Sequence, residues 1–294
     1  MKNYALLGAS LLHSISGMIH AGLFKISDEP YDRYDIADLS IDDFHGRIEN
    51  VLETYAGINV TAPYKADVIK YMDELDEKAA LYNSVNCIGT SNNKRKGYNT
   101  DCDGFLDAVA DFPLGGKVLL AGFGGTGSMI AAEALMRGAE LTICVRKNSL
   151  AERNGDLTAL MAKITAFAPN IAVKEPRLES FETVFDEGDE YDLFINATTV
   201  GRYPEHKENF FPESIISSSE HIYDVNYNPL ENPLIKTAKT LGKPVRNGLS
   251  MLVRQAARSH EIWYGADFKD RAIESLILQC EKYLTMINKS GVPF

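Results

Sequence analysis

The sequence predicts an α/β protein made of two domains, and three observations carry that prediction. The chain has 294 residues, which suits two domains of ordinary size. Segments with the periodicity of strands and of helices alternate along it, a pattern typical of mostly parallel sheets covered by helices. A glycine-rich segment near residue 124 follows one predicted strand and opens one predicted helix, as in doubly wound α/β folds. We therefore expect an N-terminal α/β domain and a second, doubly wound domain.

The first hundred residues contain short predicted elements of both kinds. Residues 31–38 alternate polar and apolar side chains with the period of a strand, and residues 41–55 place apolar side chains at helical spacing. The predicted elements are strands at 3–9, 31–38 and 57–62, helices at 17–26 and 41–55, and a hairpin of residues 87–100 around Asn92 and Asn93. Their alternation predicts a mostly parallel sheet in the first domain.

The alternation of strands and helices starts again near Gly115 and Gly116. The predicted elements are strands at 117–121, 140–147, 191–198 and 221–226, a helix at 128–139, and two amphipathic tail helices at 248–265 and 268–287. We expect the tail helices to fold back on the first domain. The predicted first domain is therefore residues 1–101 plus 250–294, and residues 102–249 form the second domain.

Composition and charge narrow the class of protein. Hydrophobic residues make up 45% of the chain and charged residues 24%, as in ordinary globular proteins. The formal net charge of −11 argues against nucleic acid as a partner, because proteins that bind it carry clustered lysine and arginine. An anionic small molecule is still compatible with this charge, because a few local donors suffice to bind it.

The cysteines and the N-terminal residues indicate a cytoplasmic protein. The four cysteines form no C-x-x-C pair and have no histidine cluster beside them, so we predict no metal site and expect reduced, buried thiols. The apolar run at the N-terminus is far shorter than the about 20 residues of a membrane span, and no signal-peptide pattern is evident. We expect no association with a membrane.

The glycine-rich segment has the pattern of a loop that binds the pyrophosphate of a dinucleotide. It reads G-x-G-x-x-G between a predicted strand and a predicted helix. Backbone amides and the positive end of the helix would face the phosphates. The alternative is a flexible glycine-rich connector. The candidate binding residues are Gly122, Gly124, Gly125, Thr126 and Gly127, in a Rossmann-type domain.

The end of the next predicted strand indicates which dinucleotide is bound. NAD sites place an aspartate or glutamate there, about 20 residues after the loop, where it bonds the ribose. This chain has Arg146 and Lys147 instead, and two cations suit the 2′-phosphate of NADP. The pattern favours NADP over NAD. The alternative is an ordinary solvated pair of cations.

Three polar stretches in the first domain are candidates for chemistry. Lys65 follows a Thr-Ala-Pro turn, and the alternative is a lysine in the first turn of a helix capped by Thr61. Asp101 has the position of a helix N-cap. Ser14 and Ser16 lie two residues apart on an extended segment, so both hydroxyls could bind one carboxylate. The alternative is that Ser16 caps the next helix.

These stretches occur in one order with several others, and together they resemble a known family. The segments are HSISGMIH, NVTAPYK, NSVNC, NTDCDGF, GFGGTG, NATTVG, NYNPLENPL and GLSMLVRQA. The chain resembles the shikimate dehydrogenase family, including its quinate/shikimate branch, from about Leu6 to Gly265. NVTAPYK and NTDCDGF are the most specific of these segments. The resemblance implies a substrate-binding domain followed by an NADP-binding domain.

The resemblance also implies roles for individual residues. Lys65 matches the catalytic lysine of the family, and Asp101 matches its partner. The implied substrate-binding residues are Ser14, Ser16, Asn59, Thr61, Lys65, Asn86, Asp101, Tyr227 and Gln255. The implied cofactor-binding residues are the glycine loop, Arg146 and, on the nicotinamide side, Thr198, Val225 and Gly248. Lys147 belongs to this set as well, because its charge suits the 2′-phosphate.

The chain departs from the family pattern at several positions. Gly17 replaces a proline after the serine pair, Cys87 replaces a threonine, and Arg202 replaces a methionine. In the cofactor motif two of three positions differ, and the arginine is the one that matches. The catalytic pair is intact.

The activity implied by the resemblance is the reversible reduction of 3-dehydroshikimate to shikimate with NADPH, a step of chorismate and aromatic amino acid biosynthesis. Lys65 would be the general acid or base. Two serines in the carboxylate-binding pair favour shikimate over quinate, because the family associates threonine at the second position with quinate. The alternatives are a quinate/shikimate dehydrogenase using NAD or NADP, a related polyol dehydrogenase, and a non-catalytic sensor, which has no need of both Lys65 and Asp101. We expect a monomer or a homodimer.

Overall fold

The computed structural model describes residues 2–11, 14–91, 94–203 and 210–290. The chain divides into two compact units, one made of Met1–Gly104 with Met251–Phe294 and the other of Phe105–Ser250. In the described residues each unit contains one six-stranded sheet, with helices between the strands. The predicted α/β class, with two mostly parallel sheets, is confirmed.

The strands are numbered along the chain. They are β1 (Lys2–Gly8), β2 (Tyr31–Asp38), β3 (Gly57–Val60), β4 (Glu74–Leu75), β5 (Cys87–Ser91), β6 (Lys94–Tyr98), β7 (Lys117–Ala121), β8 (Glu140–Val145), β9 (Arg177–Ser180), β10 (Tyr191–Asn196), β11 (Ser219–Asp224) and β12 (Val245–Asn247). The first six form the sheet of the first unit, and the last six form the sheet of the second.

The helices of the described residues are also numbered along the chain. They are α1 (Ser16–Ser27), α2 (Ile41–Thr54), α3 (Glu77–Tyr82), α4 (Thr100–Ala108), α5 (Gly125–Met136), α6 (Leu150–Phe167), α7 (Phe181–Glu187), α8 (Glu213–Ser217), α9 (Pro233–Thr240), α10 (Leu249–Tyr264) and α11 (Asp270–Ser290). Several begin at a residue whose side chain accepts a hydrogen bond from a first-turn amide, which fixes the start of the helix. These capping residues are Ser40 for α2, Asp76 for α3, Ser180 for α7 and Asn232 for α9.

The sheet of the first unit has the order β2-β1-β3-β5-β6-β4. Neighbouring strands pair in parallel except at β5, which runs against both of its neighbours. The predicted hairpin is the β5–β6 pair, with Ser91 opposite Lys94, and its tip at residues 92–93 lies outside the described residues. The strand β1 pairs on both sides, with β2 and with β3, and its residues Tyr4 to Leu7 are buried.

The two tail helices pack on the N-terminal part of the first unit. Gly22 of α1 lies so close to α11 that an added Cβ would be 2.6 Å from Cδ1 of Leu276. Gly57 of β3 leaves room in the same way for the indole of Trp263, whose ring N–H donates to the carbonyl of Ile88 at 3.0 Å. Both ends of the sequence therefore build one core.

Two buried histidines, His20 of α1 and His260 of α10, lie in this core. Nδ1 of His20 is 2.8 Å from Nε2 of His260. Burial lowers the pKa of His260 to about 3 and holds the pKa of His20 well below its usual value. Both rings are therefore neutral, and one donates a hydrogen bond to the other.

The sheet of the second unit is parallel throughout and has the order β12-β11-β10-β7-β8-β9. Numbered within the unit and read from the β9 end, this is the 3-2-1-4-5-6 order of doubly wound dinucleotide-binding folds. The strand order reverses between β7 and β10, and ligands of such sheets bind at the carboxyl ends of the strands near that point. The polar residues that follow β7, β8, β10, β11 and β12 therefore gather at one edge.

Most of the short elements were not predicted from the sequence. The strands β4, β9 and β12 have only two, four and three residues, too few for a periodic pattern. The 18-residue helix α6 was also missed, and it contains Gly155, which weakens a helical pattern. These elements form because a longer neighbour pairs with them or packs on them.

Two features are absent from the described ranges, a helix that could cross a membrane and a cluster of side chains that could hold a metal ion. None of their helices combines the length and apolar character needed to cross a bilayer. The same residues contain no group of three or more His, Cys, Asp or Glu side chains that could hold a metal ion. The four cysteines are buried and unbridged, so they contribute to the packing of the core.

Candidate active site

The structure brings Lys65 and Asp101 together in the first unit. Nζ of Lys65 lies 2.6 Å from Oδ2 of Asp101, and both side chains are largely buried, with 27% and 16% of their surface exposed. Lys65 follows β3 in a turn held in place by Val85, whose amide donates to the Lys65 carbonyl at 2.8 Å. Asp101 lies in the first turn of α4. Two residues 36 positions apart thus form one charge-assisted hydrogen bond that remains open to a ligand.

For both residues of this pair, the local structure differs from the sequence prediction. Lys65 is not in a helix capped by Thr61, because residues 62–66 form a turn and the 3₁₀ helix that follows begins at Asp67. Asp101 does not cap α4, because the amide of Cys102 donates to Oδ1 of Asn99 at 3.2 Å. Since Asn99 takes the capping position, the carboxylate of Asp101 is left to bind the lysine.

A network of side-chain amides surrounds the start of α4. Nδ2 of Asn86 donates to Oγ1 of Thr100 at 3.0 Å and to Oε1 of Gln255 at 2.9 Å, and its Oδ1 accepts the amide of Thr100 at 2.6 Å. The amide nitrogen of Gln255 makes no hydrogen bond in the part of the chain that the structure describes. Asn86 is therefore fixed in one orientation, and the free donors of Gln255 are available to a ligand hydroxyl.

Asn59 and Ser16 are joined through Tyr34, a residue that the sequence analysis did not select. The hydroxyl of Tyr34 donates to Oδ1 of Asn59 at 3.0 Å. Because the proton of Tyr34 is used there, Oγ of Ser16, 3.2 Å away, must donate its own proton to Tyr34. Nδ2 of Asn59 donates to Oγ of Ser259 at 2.8 Å, which ties the group to α10.

The two serines of the predicted carboxylate-binding pair differ in whether the hydroxyl proton is free to be donated to a ligand. Ser14 Oγ accepts the amide of Ser16 at 3.2 Å, and its own proton has no acceptor among the residues that the structure describes. Ser16 begins α1 and makes no capping hydrogen bond, so the alternative role as a cap is wrong. Ser14 can donate to a carboxylate as it stands, whereas Ser16 must first turn away from Tyr34.

The remaining predicted substrate-binding residues are Thr61 and Tyr227. Thr61 follows β3, and its methyl group packs so close to Gly8 that an added Cβ there would be 2.5 Å away. Tyr227 lies in the second unit, just after β11. Burial raises the pKa of Tyr227, and the nearby Arg202 opposes that shift, so the hydroxyl is protonated and can donate.

The glycine loop connects β7 to α5 in the second unit, as predicted. Gly122 has φ of +92°, a conformation that favours glycine, and a Cβ on Gly127 would be 2.2 Å from the carbonyl oxygen of Gly122. Gly124 and Gly125 face open space, with no atom within 4 Å of an added Cβ. Gly124 precedes α5 without a side-chain cap, so the first amides of that helix remain free for an anion.

Arg146 and Lys147 follow β8, beside the glycine loop. The amide of Gly122 donates to the carbonyl of Cys144 at 2.9 Å, which links the loop to the end of that strand. Both cationic residues are exposed, and neither forms an ion pair with any residue that the structure describes. The loop, the helix start and these cations fit a dinucleotide with a 2′-phosphate, so this chain has residues suited to hold NADP.

Thr198, Val225 and Gly248 lie after β10, β11 and β12, at the same sheet edge as the glycine loop. A Cβ on Gly122 would be 2.8 Å from Cγ2 of Thr198, and a Cβ on Gly248 would be 2.0 Å from the carbonyl oxygen of Val225. All ten predicted cofactor residues therefore lie along one edge of the second sheet.

Comparison with known proteins shows that the chain is similar to shikimate dehydrogenases. Residues 6–88 match the family model described as the shikimate dehydrogenase substrate binding domain. A shikimate dehydrogenase (NADP(+)) of Streptococcus pneumoniae (strain ATCC 700669 / Spain 23F-1) is 32% identical over 273 residues, which cover 92% of this chain and 93% of that protein. The similarity therefore extends through both units.

Two solved structures show the same relationship in three dimensions. A chorismate mutase/shikimate 5-dehydrogenase fusion protein from Clostridium acetobutylicum is 25% identical with a TM-score of 0.82, covering 97% of this chain and 99% of that one. A shikimate 5-dehydrogenase from Thermus thermophilus, in complex with NADP(H) and shikimate, is 26% identical with a TM-score of 0.77, covering 95% of this chain and 99% of that one.

Proposed function

The chain belongs to the shikimate dehydrogenase family, and on that premise we propose that it is an NADP-dependent oxidoreductase. Its proposed reaction is the reversible reduction of 3-dehydroshikimate to shikimate. Relatives named for NADP(+) and a solved relative with NADP(H) and shikimate support both the cofactor and the substrate. The Met1–Gly104 and Met251–Phe294 unit would bind the substrate, and the Phe105–Ser250 unit would bind the cofactor.

The observation that carries the proposal is the 2.6 Å contact between Lys65 and Asp101. A protein that only sensed the metabolite would have no need for an ammonium group oriented by a carboxylate. A dehydrogenase needs such a group, because a proton must move to or from the oxygen of the reacting carbon. The pair lies beside Asn86 and Thr100, whose hydrogen bonds fix the start of the helix that carries Asp101.

Each proposed site residue of the first unit has its own role in the reaction. In the direction of reduction, a protonated Lys65 donates a proton from Nζ to the oxygen that forms the new hydroxyl. Asp101 holds the ammonium group and accepts a hydrogen bond from a neighbouring ring hydroxyl. Asn59, Thr61, Asn86 and Gln255 are the proposed partners of the ring hydroxyls. NADPH, when bound, supplies the hydride.

Ser14 and Ser16 are the proposed partners of the substrate carboxylate, together with Tyr227. Ser14 can already donate its hydroxyl proton to a ligand. Ser16 can donate its own proton once its hydroxyl rotates from Tyr34 to the ligand. That rotation exchanges one hydrogen bond for a charge-assisted one, which is stronger. The exchange favours an anionic substrate over a neutral analogue.

The proposed function is tested by following NADPH absorbance in the presence of 3-dehydroshikimate and then repeating the measurement with NADH. We expect turnover with NADPH and a much lower kcat/KM with NADH, because the cations after β8 pair with the 2′-phosphate. Absence of turnover with both dinucleotides would contradict the assignment as an enzyme.

Replacing Asp101 with asparagine should lower kcat, because the amide cannot hold the ammonium group of Lys65 by charge. In the Lys65→Ala/Asp101→Asn double variant the two losses should not multiply, because the residues act as one unit. The kcat values of the wild type, both single variants and the double variant measure this coupling. Asp103→Asn is the matched control, since Asp103 lies on the same helix and pairs with Lys78. Independent losses in the cycle would refute the coupled pair.

Shikimate should be oxidised with a higher kcat/KM than quinate, by about 10- to 100-fold. Quinate carries one more hydroxyl on the carbon that bears the carboxylate, and that group would need both room and a partner next to the two serines. Initial rates with NADP⁺ and each acid give the ratio. A preference for quinate would reverse the substrate assignment.

A further inference from the structure

One buried carboxylate lies at the edge of the second sheet where β10 and β11 end. Asp224, the last residue of β11, is fully buried and accepts four hydrogen bonds from neutral amides. Its Oδ1 accepts from Nδ2 of Asn196 at 3.1 Å and from both the backbone and side-chain nitrogens of Asn226, at 2.9 and 2.8 Å. Its Oδ2 accepts from Nδ2 of Asn232 at 2.7 Å. Two segments of the chain, the end of β10 and the loop between β11 and α9, thus converge on one anionic group.

The partners of Asp224 in turn hold the chain around Thr198. Oδ1 of Asn196 accepts from the amide of Thr198 at 3.0 Å and from its hydroxyl at 2.7 Å. Nδ2 of Asn226 donates to the carbonyl oxygens of Thr198 and Val200, at 3.0 and 3.1 Å. The backbone conformation after β10 is therefore set by two side chains that Asp224 orients.

The same partners also reach the other two residues predicted on the nicotinamide side. The amide of Val225 donates to the carbonyl of Asn196 at 3.0 Å, and the amide of Gly248 donates to the carbonyl of Asn226 at 3.1 Å. Every link in this set lies within the second unit. Asp224 is thus linked by hydrogen bonds to each of the three loop positions through one intermediate residue, Asn196 or Asn226.

We propose that Asp224 is a positioning residue for the cofactor, whose carboxylate fixes the loops that carry Thr198, Val225 and Gly248. The inference rests on the proposed function for the role of those three residues. Burial raises the pKa of Asp224 to about 6, so the group is an anion above neutral pH and acts as an acceptor only.

The chemistry of the site requires a carboxylate and does not tolerate an amide. An asparagine at position 224 could direct its oxygen at the three donors around Oδ1, but its NH₂ group would then face the NH₂ group of Asn232. Asn232 cannot turn over to relieve this contact, because its Oδ1 accepts the amide of Ile235 at 3.1 Å and caps α9. Asp224→Asn therefore breaks the network while nearly preserving the volume of the side chain.

The test compares Asp224→Asn with the wild type by hydrogen exchange in the cofactor-free protein and by NADPH titration. We expect faster exchange at residues 196–201, 225–228 and 247–249, and a dissociation constant for NADPH raised about tenfold. In turnover with 3-dehydroshikimate, kcat should fall about 10- to 100-fold, because small displacements of a reacting group are costly. If Asp224→Asn does not fold, Asn226→Ala, which removes only the side-chain links, should give the same changes with smaller amplitude.

Asp192→Asn is the matched control. Asp192 accepts the amide of Lys117 at 2.7 Å at the amino ends of β10 and β7, the opposite edge of the same sheet. This control should leave the NADPH dissociation constant and the exchange of the three loops unchanged. A network that only stabilised the fold would lower the melting temperature of Asp224→Asn without changing NADPH affinity, and that result would overturn the inference. Failure of the wild type to turn over 3-dehydroshikimate would count against the proposed function instead.

Discussion

Replacing Lys65 with alanine is expected to lower kcat by about 10²- to 10⁴-fold, the usual contribution of a general acid or base. The dissociation constant of shikimate should stay close to that of the wild type, because the serines and side-chain amides that bind the substrate remain in place. The reason is that the ammonium group acts mainly on the oxygen whose bonding changes during reduction. Steady-state kinetics with 3-dehydroshikimate and NADPH, together with calorimetric titration of shikimate, separate the two effects.

Lys78→Ala is the matched control for this variant. Lys78 lies on α3 and pairs with Asp103, two residues beyond Asp101 on the same helix, and its exposure is similar to that of Lys65. Removing it deletes a comparable ion pair but leaves the proposed proton donor untouched, so kcat should be nearly unchanged. Near-native turnover by Lys65→Ala would show that the proton comes from another group.

Replacing Arg146 with alanine is expected to raise the KM for NADPH about 10- to 100-fold, which corresponds to the loss of a hydrogen bond to a charged group. The KM for NADH should change little, because NADH has no phosphate at the ribose. The guanidinium presents several donors in a fixed plane that suits a phosphate, so Lys147→Ala should have the smaller effect. Initial rates over a range of each dinucleotide give both values.

Arg153→Ala provides the comparison for Arg146→Ala. Arg153 lies nearby in the sequence, on α6, and its guanidinium is already paired with Asp156 at 2.7 Å. Its removal should leave both KM values unchanged. An equal rise in KM for NADPH and NADH in Arg146→Ala would mean that the arginine contacts a part common to both dinucleotides, which would contradict the proposed origin of the preference.

Most of the long elements, though not α6, and the glycine loop were predictable from the sequence because their signals are local. The strand β7, the loop Gly122–Gly127 and the helix α5 follow one another without interruption, so periodicity and glycine spacing suffice to predict them. Arg146 was found for the same reason, since it lies at the end of the next strand. Lys65 and Asp101 needed the family resemblance, because nothing local pairs two residues 36 positions apart.

The sequence could not show which of several neighbouring polar residues caps the helix α4. Asn99, Thr100 and Asp101 all have side chains that favour an N-cap, so their order gives no reason to prefer one of them. The structure selects Asn99, because Thr100 then reaches Asn86 with both its amide and its hydroxyl. The position of Asp101 relative to Lys65 follows from that choice.

Residues that act through the pairing of distant strands were also beyond sequence reasoning. Tyr34 reaches Asn59 across β1, because β2 and β3 lie on either side of that strand in one sheet. The Asp224 network joins Asn196, 28 positions earlier in the chain, to Asn226 and Asn232 of the loop that follows β11. The sequence carries a weak signal of this network, since Asn196 and Asp224 each end a strand directly after two buried apolar residues.

The first unit is assembled from the two ends of the chain, and this affects how it is made in the cell. While the ribosome extends the chain, Gly22, Gly57 and His20 are made before the second unit, whereas their partners Leu276, Trp263 and His260 are made only after it. At about 5–20 residues per second, synthesis of Phe105–Ser250 alone takes roughly 7 to 30 s. The second unit, which is continuous, can therefore complete its core first, and the N-terminal strands are left incomplete and open to chaperones during that interval.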